Sequence, residues 1–536
     1  MTHRQIMMVL IGLMSGMFLS SLDQSIVGSA MRTIADDLKG LDIQAWVTTA
    51  YLITSTITTP LYGKLGDILG RRRLFIFAIS VFVVASVGAS FSHTMYELAA
   101  WRALQGIGAG GLFTLALTVM ADVVPPRERA KYMGMFMAVF GTSSVIGPLV
   151  GGLFAGASQI LGITGWRWVF LINLPIGVVA LWMVVNFLHI PHQKHKTGRI
   201  DWWGAVFIVV AVVPLLVVAE QGRGWGWGSV NSITMYSIGA IGIIAFILVE
   251  RALGEDALLP LALFKSSGFS LSSLVGTIVG VGMFGGMMTI PLILQIVYGA
   301  SPTEAGLLML PMVVGMMSAS IFSGRYTGKT GKYKIFLVLG TGFMAASYLY
   351  LSQMTYQWQI WQVSIGMIVL GMGLGQVMQT LNIVAQNSVD VQHIGVATSS
   401  ATFFRQMGGT AGVAIFLSIL FTSLADKGTQ IGNGIKSAIM ANPQLLALPQ
   451  NAIFKTAGSK LGDMINKDSS FLKTVSPALG NPIKNAFAQS AVLVFESATG
   501  VIIVAFVLSW FVKEIELRTK SGVQEKAEAQ AAAMSH

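Results

Sequence analysis

Gly63-Lys64-Leu65-Gly66-Asp67-Ile68-Leu69-Gly70-Arg71-Arg72-Arg73 and, far down the chain, Gly324-Arg325-Tyr326-Thr327-Gly328-Lys329-Thr330-Gly331-Lys332-Tyr333-Lys334 share one pattern. Each begins with Gly followed by a basic residue, places another Gly seven residues on, and ends in basic residues. Each lies between two long apolar runs. A turn repeated in this way implies a membrane domain made of two related halves. Internal two-fold repeats of this kind place a binding site between the halves near mid-membrane. The copies differ at one position: Gly328 stands where the first has Asp67, so a charge relay through this turn would be asymmetric.

Composition supports the membrane reading. Of 536 residues, 54% are hydrophobic and 11% charged, where a soluble domain carries about 25% charged residues. Apolar runs long enough to cross a bilayer recur along almost the whole length, the pattern of a polytopic helical protein, and leave no room for a separate soluble domain. Cysteine is absent, which excludes a disulfide framework, thiolate chemistry and Cys-based metal sites. The net charge of +11 does not indicate nucleic acid, because much of the Lys and Arg lies in short loops between spans, as the positive-inside rule predicts. Residues 6–27 read as an uncleaved first span rather than a signal peptide.

About 14 spans of some 20 residues are expected. They lie near 6–28, 44–63, 74–92, 96–121, 133–155, 167–189, 202–219, 233–250, 269–297, 304–323, 335–352, 360–385, 398–424 and 490–512. The short loops 63–73, 125–132, 189–200 and 324–334 hold the basic clusters, and 36–43 and 93–97 hold Asp36, Asp37, Asp42 and Glu97. This bias puts both termini in the cytoplasm. Residues 425–489 read as a long, solvated external loop with seven Lys and three Asp, and long loops cross largely regardless of charge. The stretches 435–440 and 457–465 suit short amphipathic helices within it, and a functional lid is the alternative reading. The expected organisation is an N-terminal six-helix bundle (1–200), two inserted helices (201–265), a C-terminal six-helix bundle (266–512) and a tail (513–536).

Ionisable residues inside spans are functional candidates by default. The first span contains Leu22-Asp23-Gln24-Ser25-Ile26-Val27 and the fourth Trp101-Arg102-Ala103-Leu104-Gln105-Gly106. At 1.5 Å per residue, Asp23 lies about 25 Å from the cytoplasmic end and Arg102 about 9 Å in from the outer end. Their depths match, so a buried pair is expected. Burial disfavours a carboxylate's charged form and a nearby cation favours it, so a gated carboxylate can load and release a proton. A purely structural ion pair is the alternative. Glu496, near the outer end of the last span, is a second proton or cation candidate, against an ordinary interfacial Glu. The fifth span contains Gly141-Thr142-Ser143-Ser144-Val145-Ile146-Gly147-Pro148-Leu149-Val150-Gly151-Gly152. Pro148 removes a backbone hydrogen bond, and Gly147 and Gly151 let another helix approach closely. Gln105 and Arg405, the latter in Phe404-Arg405-Gln406-Met407-Gly408-Gly409, are candidates for an inner vestibule.

These segments resemble the major facilitator superfamily. The first turn fits its Gly-x-x-x-Asp-x-x-Gly-Arg-[Arg/Lys] signature, with Gly63, Asp67, Gly70, Arg71 and Arg72 in place. Arg102-x-x-Gln105-Gly106-x-Gly108 is similar to its fourth-span motif, and the Asp23 segment resembles the first-span signature of the 14-span drug:proton antiporter branch. The Gly141, Gly147, Pro148, Gly151, Gly152 pattern resembles the antiporter signature that marks exporters. Trp166 to Gly177 and the Arg405 segment look like further branch signatures. The resemblance implies a fold of two six-helix bundles plus two central helices and a cytoplasmic latch formed by the turn. It also implies export driven by protons as the coupling ion, with no other cofactor.

Other signals point to little. His189, His192 and His195 recur at i, i+3, i+6 in a Lys-rich loop without carboxylate or Cys, which makes a poor metal site. No Gly-x-x-x-x-Gly-Lys-[Ser/Thr], His-Glu-x-x-His or Gly-x-Ser-x-Gly occurs, so neither a phosphate-binding loop nor protease or esterase chemistry is indicated. The expected function is proton-coupled export of hydrophobic or amphipathic drug-like compounds, by a non-enzymatic, monomeric protein of a bacterial cytoplasmic membrane. The alternatives are a dedicated exporter or flippase of an endogenous lipid, peptide or metabolite, and a non-transporting membrane sensor or scaffold.

Overall fold

A computed structural model describes residues 3–40, 44–188, 200–451, 454, 475–518 and 520. The N-terminal portion comprises α1 (His3–Asp37), α2 (Gln44–Leu69), α3 (Arg71–Ser90), α4 (Met95–Val123) and α5 (Pro126–Gly156), followed by a two-residue-per-strand hairpin, α6 (Trp168–Leu171) and α7 (Asn173–Phe187). Then come α8 (Trp202–Trp225) and α9 (Val230–Leu253). The C-terminal portion comprises α10 (Ser267–Ile296), α11 (Pro302–Leu308), α12 (Leu310–Thr330), α13 (Lys334–Leu351), α14 (Ile360–Asn387), α15 (Ile394–Asp426), α16 (Gly428–Ala441) and α17 (Pro477–Phe511).

The pairing of helices repeats. In the first half α1 packs on α5 and α7, α2 on α4, and α3 on α4 and α7. In the second, α10 packs on α15 and α17, α12 on α14, and α13 on α14 and α17. One pattern maps onto the other helix for helix, and the cross-half contacts α5 with α12 and α2 with α15 are likewise equivalent. The repeated turns share a cause. Gly70 between α2 and α3 has φ 92°, and Gly331 at the end of α12 has φ 75°; glycine takes such values without the penalty a Cβ brings. Helices α8 and α9 pack on each other, and α8 lies over both α2 and α15, bridging the halves. Lys64 of the first turn reaches the Glu255 carbonyl just after α9, at 2.8 Å.

Thirteen helical segments among the described residues are long and apolar enough to cross a membrane, so the chain is a multi-pass membrane protein. The expected span 44–63 falls within α2, which is 26 residues long but contains six Thr and one Ser and is not among the thirteen. The region 425–489 is not simply a loop. Helix α16 buries Ile431 and Ile435 and packs against α17, and α17 begins at Pro477, well before 490. Pro482, Lys484, Asn485 and Gln489 lower the hydropathy of that first stretch and hide the helix from a span search. The expected helix over 457–465, the His189, His192, His195 run and most of the tail lie outside the described residues.

Candidate functional site

Asp23 of α1 is fully buried and receives three side-chain donors. Arg102 Nη1 of α4 lies 2.6 Å from Asp23 Oδ2. Gln105 Nε2, one turn along α4, lies 2.9 Å from Oδ1, and Asn173 Nδ2 of α7 lies 2.6 Å from the same oxygen. Arg102 Nη1 also donates to Gln105 Oε1 at 2.7 Å. Ser86 of α3 ties the cage together. Its hydroxyl accepts from Asn173 at 2.7 Å and from Gln105 at 3.3 Å, and donates to the Phe170 carbonyl. The Arg102 guanidinium lies 4.1 Å from the centre of the Tyr51 ring of α2, and the Tyr51 hydroxyl meets Ser20 at 3.0 Å. Thus α1, α2, α3, α4 and α7 all contribute to one buried cage.

Asn173 is delivered by a helix break. Pro175 has no N–H for the Leu171 carbonyl, and the chain is interrupted at Ile172 between α6 and α7. The sequence reading found Asp23 and Arg102 and missed Tyr51, Ser86 and Asn173. Gln105, expected in a vestibule, instead belongs to this cage and is buried. Two cage atoms, Arg102 Nε and Asn173 Oδ1, are buried without a hydrogen-bond partner among the described residues, so the cage has spare hydrogen-bonding capacity.

Helix α5 runs beside this cage with two working faces. A Cβ on Gly147 would overlap the Ser25 side chain, and one on Gly151 would lie 2.7 Å from the Ile26 carbonyl, so this face fits directly onto α1 two to three residues past Asp23. The other face meets the opposite half. Gly141 abuts Val313, Pro148 abuts Gly306 and Gly152 abuts Thr303.

The first turn also joins the halves. Arg71 Nη2 lies 2.8 Å from Asp67 Oδ1, and Arg71 further pairs with Asp122 and the Thr118 carbonyl. The Asp67–Arg71 pair spans the break at Gly70 rather than lying along one helix. Asp67 Oδ2 has no side-chain partner and sits at the N-terminus of α15, so close that a Cβ on Gly395 would lie 2.5 Å away. A helix N-terminus favours negative charge. Gly63 packs against Ser399 of the same helix, and Arg72 donates to the Val185 carbonyl at 2.5 Å. In the second turn the carbonyls of Gly328 and Lys329 accept from Arg127 of α5 at 3.0 and 2.8 Å. Where the first turn offers a carboxylate, the second thus offers backbone carbonyls to a cation from the other half. Arg129 pairs with Gln386 of α14 and with the Ala121 and Val124 carbonyls. From the sequence, 125–132 reads only as a basic loop.

The remaining candidates lie apart from the cage. Arg405 of α15 is buried, with Asn382 of α14 at 3.4 Å. Glu496 is exposed on α17, on the side away from the buried Val494, Phe495 and Ala498, and is not brought to Asp23. Among the described residues no cluster of His, Cys, Asp and Glu could hold a metal ion.

Comparison with known proteins agrees with this architecture. Over 542 aligned residues the chain is 33% identical to the multidrug transporter protein MdtP of Bacillus subtilis (strain 168), covering 98% of this chain and 96% of that one. It is 32% identical to multidrug resistance protein 3 of the same organism, covering 97% of each. It is 33% identical to a tetracycline resistance determinant of Streptomyces rimosus over 62% of this chain and 97% of that protein. Among solved structures, the human organic anion transporter MFSD10 superposes with a TM-score of 0.60 at 14% identity, covering 94% and 99% of the two chains. The proton:xylose symporter XylE gives 0.58 at 14% identity, covering 98% and 99%. Residues 13–413 match the Major Facilitator Superfamily, and the chain belongs to that family.

Proposed function

We propose that the protein is a proton-coupled antiporter that exports hydrophobic or amphipathic drug-like compounds by alternating access. The observation that carries this reading is the buried Asp23–Arg102 pair with α5 fitted against it at Ser25. Protonation of Asp23 removes the charge that holds Arg102 and one of the three acceptor contacts. The rearranged cage then shifts α1 against α5, and α5 carries that shift to the other half through Val313, Gly306 and Thr303. The relatives named as multidrug transporters support efflux as the direction.

In this reading the chain comprises bundles 1–200 and 266–512, joined by the inserted pair 201–265, giving 14 spans once α2 is counted. The end bearing the two basic turns faces the cytoplasm, together with both termini and the tail 513–536. The protein works as a monomer in the bacterial cytoplasmic membrane, because one chain holds both halves. The Asp67, Arg127 and Arg129 contacts hold the cytoplasmic side shut and must open for cargo to enter.

Purified protein in liposomes with an imposed pH gradient and a fluorescent lipophilic dye tests this. Gradient-driven dye movement is expected in the wild type and lost in Asp23→Asn. Movement that keeps its gradient dependence in the variant would remove Asp23 from the coupling.

A further inference from the structure

Among the described residues four arginines are buried within the helices, Arg71, Arg102, Arg129 and Arg405. Three of them each have three groups around the guanidinium. Arg71 has two carboxylates and a carbonyl. Arg102 has a carboxylate, an amide and an aromatic face. Arg129 has an amide and two carbonyls. Arg405 differs. Asn382 Oδ1 at 3.4 Å is its side-chain partner, and among the described residues no carboxylate pairs with it. A charge taken out of water without a counter-charge is costly, and an intramembrane cation left in that state is a functional candidate.

Its surroundings place Arg405 on the seam between the halves. The next residue, Gln406, accepts from Thr59 of α2 at 3.2 Å, across that seam. Asn382 lies four residues, about 6 Å, along α14 from Gln386, which accepts from Arg129 of α5, also across the seam. Arg405 lies about 16 Å into α15 from its turn-end start at Ile394, on the seam between the halves, and a repeat-built transporter places its cargo between the repeats near mid-membrane.

We propose that Arg405, assisted by Asn382, is an anion-recognising subsite, and that the preferred cargo is an amphipathic molecule bearing a carboxylate. This rests on the efflux reading for the word cargo. The planar guanidinium matches a carboxylate bidentately, and the Asn382 amide supplies a further donor. An anionic group entering there compensates the buried charge, which a lipophilic cation cannot do.

The test uses the full chain in phosphatidylcholine nanodiscs and two probes, a dansyl-labelled fatty acid and its methyl ester. The wild type is expected to bind the acid about tenfold tighter than the ester, the worth of one charge-assisted hydrogen bond. Arg405→Gln removes the preference, Arg405→Lys keeps part of it, and Gly156→Ala, where an added Cβ meets nothing within 4 Å, leaves it in place. Equal binding of acid and ester by the wild type, or a preference that survives Arg405→Gln, overturns the proposal. If Arg405→Gln does not fold, Asn382→Ala decides instead, with a weakened preference expected and an unchanged one contrary. Binding is read without a gradient, so a failure of gradient-driven dye movement would sink the efflux reading while leaving the anion subsite standing.

Discussion

At the scale of single residues, the cage around Asp23 behaves as a unit. Removing one partner of a buried ion pair leaves the other charge uncompensated and costs about 3–5 kcal/mol. Arg102→Gln and Asp23→Asn are each expected to lower the thermal midpoint of the detergent-solubilised protein markedly. The double variant should recover much of the loss, because neither charge then remains; strictly additive losses would deny the coupling. Asn173→Ala should cost about 1.5–3 kcal/mol, since its amide donates to a charged oxygen. The sequence revealed the two charges because ionisable residues in apolar runs are rare, and helix rise alone matched their depths. It did not reveal Tyr51, Ser86 or Asn173. Uncharged polar residues are common within spans, and Asn173 meets a partner 150 residues away. For Glu496 the sequence left two readings open, a second proton or cation site and an ordinary interfacial Glu, and the side chain is exposed. A span's apolar run gives depth but no rotation, and only packing through Val494, Phe495, Ala498 and Ile502 turns Glu496 outward.

At the scale of elements, α5 links cage and seam, because its glycines serve two partners. The pattern of glycines was legible in the sequence, but not which helix each one admits. Gly147→Ala adds a methyl group where the Ser25 side chain already lies. It should destabilise by about 1–3 kcal/mol, as overpacking does, and impair transport, since α1 shifts beside Asp23. Gly156, near the end of the same helix, has nothing within 4 Å of an added Cβ. Gly156→Ala should be neutral, or stabilising by up to about 1 kcal/mol through helix propensity. Thermal unfolding of the two variants side by side checks the pair; equal effects would show that the close fit against α1 is unimportant. The ends of elements were less legible than their existence. Helix α2 is masked by its hydroxyl residues and the start of α17 by Pro482 and its polar neighbours, because both are stabilised by neighbouring helices rather than by lipid contact alone.

At the scale of the whole molecule, two equivalent seams, α2 with α15 and α5 with α12, join the halves. The inserted pair lies across one of them, through Ile208, Ala211, Val212 and Leu216 against Ile53, Ile57 and Phe403. The other is free of that brace and can be locked by design. A Cβ on Gly134 of α5 would lie 3.6 Å from the Ile321 Cα of α12, within reach of disulfide geometry once both residues are Cys. Replacing Ile321 also removes the Cγ1 atom that would lie 2.9 Å from that Cβ, so the double variant is less crowded than Gly134→Cys alone. The native chain contains no cysteine, so no background thiol interferes. Oxidation of Gly134→Cys/Ile321→Cys should form the cross-link in high yield, abolish gradient-driven transport in liposomes, and be reversed by reductant, while the wild type ignores both treatments. Alternating access requires this seam to part once per cycle. A cross-linked protein that still transported at the wild-type rate would mean that cargo passes without separation of α5 from α12, and the rocking of two halves would have to be abandoned for this chain.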